Sequence, residues 1–61
     1  MYEFNDSVRI WGLTPGVVLT TGSNEHGKAV ALATAQGNFW YPVEWIGRYK
    51  NTPEHDAIRT Q

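Results

Sequence analysis

The chain has 61 residues, no cysteine, and a formal net charge of −1 from five basic and six acidic side chains. At this length there is room for one domain, and folding removes only roughly 60% of the unfolded chain's surface from water. The charge excludes the strongly basic balance of a non-specific nucleic-acid binder. The missing thiols exclude disulfides and thiolate metal sites, and no apolar run approaches membrane-spanning length. Stability must then come from a dense aromatic core, from self-association, or from both.

Tyr2, Phe4, Val8 and Ile10 share even parity, with Glu3, Asn5, Ser7 and Arg9 between them. This is the period of a strand with one wet face. Asn5-Asp6 introduces a bend, so residues 7–11 form the firmer strand, and Trp11 breaks parity and is expected to point outward or to pack on something beyond this sheet. The opening residues Met1-Tyr2-Glu3-Phe4 lack a basic-then-apolar leader pattern. With no cysteine, the expected location is the cytoplasm.

Gly12-Leu13-Thr14-Pro15-Gly16 is turn-rich. Residues 17–21 form a second, β-branched strand. Residues 22–27 are a polar, glycine-bounded hairpin connection. Residues 28–34 alternate alanines with Val30 and Leu32. Alanine favours helix, but the segment is too short to stand alone as one, and it reads as a strand.

Residues 35–38 lead into Phe39-Trp40-Tyr41, whose rings suit a pleated, half-buried surface. Pro42 removes a ladder donor, so the strand ends or reaches an edge there. Residues 43–46 fit one 3₁₀ turn, and residues 47–50 a short closing strand. In the tail, Thr52 is the expected N-cap and Pro53 the first helical position. Glu54 and Asp56 lie in the first turn of a helix running to about Ile58. With one large apolar residue, Ile58, this tail is expected to be frayed or weakly docked. The chain thus divides into an all-β body over residues 1–50 and a tail over residues 51–61.

The segment Tyr41-Pro42-Val43-Glu44-Trp45-Ile46 after Gly37 resembles the aromatic-Pro-x-x-aromatic-aliphatic signature that closes signalling-type SH3 domains. The resemblance implies a small five-stranded SH3-like barrel with one 3₁₀ turn. It makes Pro42 and Trp45 groove residues for a peptide and Ile46 core. The acidic cluster and the tandem tryptophans of that family are missing from this chain. A second resemblance covers residues 4–49. Asp6-Ser7-Val8-Arg9, Gly16-Val17-Val18, Tyr41-Pro42-Val43 and Arg48 are similar to the plasmid-encoded type II dihydrofolate reductases. Those are SH3-like barrels assembled as homotetramers around one pore. Phe39 stands where that family has its pore glutamine, and a phenyl ring cannot pair with pterin and nicotinamide. The resemblance therefore implies the scaffold, and an oligomer with a central ligand pore, without reductase activity.

Trp11, Tyr41, Pro42 and Trp45 are the expected partner-binding residues, because Trp and Tyr give large contact area at low entropy cost. The partner is a protein or peptide, with a homo-oligomer through a spare aromatic face of the 39–41 strand. Glu25-His26 and Glu54-His55-Asp56 are the only metal-like clusters. Neither has ligand spacing, so no metal is expected and both histidines are placed on solvent. Ser7 and Ser23 lack His and acid partners, so no catalytic set and no cofactor are expected. Arg9, Arg48 and Lys50 lie near Tyr49 and Trp11. Glu3, Asp6 and Glu44 share those stretches, so a solvated face is expected there rather than a nucleic-acid surface.

Overall fold

The computed structural model describes residues 1–61. It contains β1 (Ser7–Ile10), β2 (Thr14–Asn24), β3 (Gly27–Thr34), β4 (Gly37–Pro42), a 3₁₀ turn (Val43–Trp45), β5 (Ile46–Arg48) and α1 (Pro53–Arg59). All strand pairings are antiparallel, in the order β4-β3-β2-β1-β5. The sheet is open, with β4 and β5 as its two edges. The protein is therefore mostly β, with one 3₁₀ turn and one short helix, and no helix is long and apolar enough to cross a membrane.

Alternation sorts the side chains onto two faces. Val8, Val18, Val30, Leu32 and Ile46 form the core cluster on one of them, with Tyr2, Ile10, Tyr41 and Val43 packed against it. Val18 sits opposite Leu32, and Val30 opposite Tyr41, so directly paired residues build this core. Each fully buried aliphatic side chain here contributes about 1.5–3 kcal/mol. A register shift between Val18 and Thr20 re-aims the rest of β2.

The β2–β3 hairpin runs further than the sequence pattern suggests. Residues 22–24 and 27 are paired, and Glu25-His26 alone make the turn, where Asn24 Oδ1 accepts from the His26 N–H. Residues 21–28 are all exposed, so backbone pairing alone carries this two-stranded ribbon beyond the core. β5 begins at Ile46, one residue before the expected start, because Ile46 closes the core opposite Ile10.

The tail departs most from expectation. It is docked, and the docking is polar as well as apolar. Ser7 and Arg9 lie on the opposite side of β1 from Val8, and α1 meets that side. Arg9 pairs with Glu54 at 3.1 Å, and Arg59 Nη2 donates to Ser7 Oγ at 2.8 Å. Arg59 also donates to Asn5 Oδ1 and Asn5 O, both at 2.7 Å, fastening α1 to the bend before β1. Asn5 makes that bend with φ +76. Ile58, the tail's one large aliphatic, is buried, against the expectation of a frayed or weakly docked tail.

His55, expected on solvent, is completely buried. The Thr52 N–H donates to His55 Nδ1 at 3.1 Å, so Nδ1 is an acceptor. Nε2 then carries the proton and donates to Val8 O at 2.8 Å. His55 occupies the N3 position of α1, where its ring reaches back to the N-cap as the Glu or Gln of a capping box does. One imidazole caps the helix and binds it to β1. His26 is exposed at the hairpin tip, as expected. No group of three or more His, Cys, Asp or Glu side chains comes together in a metal-holding arrangement.

Candidate aromatic docking surface

Four rings form a row. Trp11 and Trp45 meet edge to face with centroids 5.0 Å apart. Trp45 and Tyr41 follow at 6.4 Å, and Tyr41 and Phe39 at 6.5 Å. The sequence supplies this row from three places. Phe39 and Tyr41 are two apart on β4 and so share a face. The 3₁₀ turn, forced after Pro42, swings Trp45 back beside Tyr41. Trp11 comes from the β1–β2 turn.

Trp11 is held in an unusual backbone state. Its φ is +54, in the left-handed region that costs a non-glycine residue about 1–2 kcal/mol. Its N–H donates to Trp45 O at 2.8 Å, and the Leu13 N–H closes the turn on Ile10 O at 3.0 Å. Gly12 follows with φ +71. A Cβ there would lie 2.8 Å from the Tyr49 hydroxyl, so any other residue would combine positive φ with a displaced tyrosine. The turn thus spends backbone strain to place an indole against Trp45 and in solvent.

The row is open. Trp11 is 66% exposed, Phe39 49% and Trp45 40%, and Leu13, in the same turn as Trp11, is 73% exposed. Tyr41 is half-buried and roots the row in the core. Exposed apolar surface of this continuity is unusual outside interaction sites. Edge-to-face and tilted pairs of this kind contribute about 0.5–1.5 kcal/mol each beyond their burial. The rings therefore hold one another in place without a ligand.

Of the four expected partner residues, the fold brings Trp11, Tyr41 and Trp45 together. Pro42 is half-buried and faces the other way, opposite Ala29. There it lines a cleft of about 150 Å³ with Trp40, Lys28 and Glu44. Phe39 takes the fourth place in the row. Its parity with Tyr41 was the signal for it, since β4 is a regular strand.

The chain matches no family model, no curated protein and no solved structure. Its own geometry therefore carries the functional reading.

The basic side chains are engaged nearby. Arg9 donates to Leu13 O as well as pairing with Glu54. Arg48 pairs with Asp6 at 3.3 Å and lies 5.0 Å from the Tyr2 ring centroid. Trp40, on the opposite face of β4 from the row, is 59% exposed and reaches across β3 to Gly22. The small Ala29 and Ala31 side chains leave room for that indole. An open apolar depression of about 510 Å³ lies between Tyr2, Thr21, Val30 and Val43. Ser23 and Lys28 line it as well.

Proposed function

We propose that this protein is a non-catalytic binding module. The row Trp11–Trp45–Tyr41–Phe39 takes up an extended, proline-rich peptide segment of a protein partner. The observation that carries the reading is the row itself: four touching rings, three of them open to solvent, with a strained backbone turn supporting one end. Proline rings fit between aromatic faces, and a polyproline helix loses little entropy on docking. The sheet order and the 3₁₀ turn between β4 and β5 support an SH3-like barrel as the scaffold.

The test is a tryptophan-fluorescence titration with a short polyproline peptide, in the native protein and in Trp45→Ala. The native protein binds, and Trp45→Ala loses at least tenfold in affinity with its circular dichroism unchanged. Equal affinities in the two proteins, or no binding by the native one at millimolar peptide, defeat the reading.

A further inference from the structure

The two edges of the sheet are protected differently. β5 is three residues long and carries Arg48, with Lys50 just beyond. A short edge with nearby cations is the ordinary defence against strand pairing with another molecule. β4 is six residues long and has none. Residues 29–43 contain no charged side chain at all, and Asn38, Phe39 and Trp40 are each exposed.

The hydrogen-bonding side of β4 follows from its pairing with β3. Pro42 has no N–H, so its pairing with Ala29 is a non-hydrogen-bonded one. Antiparallel ladders alternate, which makes Trp40 with Ala31 and Asn38 with Ala33 non-hydrogen-bonded pairs too. The N–H and C=O groups of Asn38 and Trp40 therefore point outward along the open edge. Two donors and two acceptors on one strand are self-complementary about a two-fold axis at Phe39.

From this geometry we propose that β4 pairs antiparallel with β4 of a second copy of this chain, centred on Phe39. Asn38 of each copy exchanges both backbone hydrogen bonds with Trp40 of the other. The open edge disappears, and the two sheets become one. Phe39 stands directly opposite Phe39 of the second copy, on the face that carries the aromatic row. The two rows then join into one strip of eight rings. Each copy completes the other's surface at its Phe39 end. The dimer does not depend on the peptide-binding reading, because it is measured without any ligand.

The test is the mass in solution over a dilution series by analytical ultracentrifugation. The native chain sediments as a dimer that dissociates on dilution. Asn38→Pro removes an outward donor while leaving every β3–β4 bond intact, and it sediments as a monomer with native circular dichroism. Should that variant fail to fold, Phe39→Cys decides. The chain has no other thiol, and directly opposed residues of a non-hydrogen-bonded pair lie within disulfide reach. Phe39→Cys oxidises to a covalent dimer at least tenfold faster than the exposed control Ser23→Cys. A native chain that stays monomeric at millimolar concentration overturns the proposal. So does an oligomer that Asn38→Pro, once folded, leaves intact, or a Phe39→Cys rate no greater than the control's.

Discussion

Replacing His55 with alanine is expected to undo the attachment of α1, and the cost can be worked from its contacts. Val8 is fully buried, so its carbonyl would lose the Nε2 donor with no water to replace it. An orphaned buried acceptor costs about 1–3 kcal/mol. The Thr52 N–H would lose its acceptor at Nδ1, a capping interaction worth about 1 kcal/mol. The void left by the ring adds about 2 kcal/mol unless the site collapses. The sum, near 5 kcal/mol, has a ceiling. The helix can instead swing away and hydrate both groups, so the loss cannot exceed the free energy of docking α1. A domain of this size has only about 3–9 kcal/mol of stability in all. Urea unfolding followed by circular dichroism should therefore show His55→Ala losing at least ~3 kcal/mol, on the scale of these same contacts. His55→Gln should fall between the two proteins, since one amide can serve Thr52 or Val8 but not both. A loss under ~1 kcal/mol in His55→Ala would falsify the claim that this ring ties helix to sheet.

Arg59→Met keeps the apolar stem but removes the donors to Asn5 and Ser7. It should cost about 1–3 kcal/mol in the same assay and speed amide exchange in α1 and at Val18, whose N–H donates to Asp6 O beside the Asn5 bend. Trp11→Gly should relieve about 1 kcal/mol of left-handed strain and lose a similar amount of ring contact. Thermal unfolding should move little, while polyproline affinity falls at least tenfold. Gly12→Ala combines positive φ with a contact on the Tyr49 hydroxyl, and should destabilise by about 1–2 kcal/mol. Leu32→Ala, at the centre of the core, should cost about 2–5 kcal/mol by chemical denaturation.

Most of the sheet was legible because strand period and turn chemistry are local. Val30 and Leu32 alternating with alanines marked β3 as a strand, and the Pro42 stop marked the end of β4. The 3₁₀ turn and the Thr52-Pro53 helix start follow from proline geometry in the same way. What escaped the sequence was long-range pairing. His55 carries no local sign of burial, since its partner Val8 lies in the first strand and the contact goes to a backbone carbonyl. Arg59 reaches Asn5 from the far end of the chain for the same reason. The tail looked weak because its one large aliphatic was counted and its hydrogen bonds could not be. In the aromatic row, clustering in sequence picked out Tyr41 and Trp45. Pro42 joins them through the SH3-like signature, but strand alternation turns it to the other face, while Phe39 shares the face of Tyr41. Trp11 joins only because its turn adopts a left-handed backbone that the sequence does not announce.

The most direct test of the account is a nitrogen-15 NMR titration of the native protein with a short polyproline peptide, read residue by residue. Shift changes should concentrate on the indole and backbone signals of Trp11 and Trp45 and the backbone of Phe39 and Tyr41. His26 at the hairpin tip and Glu54 on α1 should stay still. Changes centred on Trp40 and Lys28, or no changes up to millimolar peptide, would contradict it.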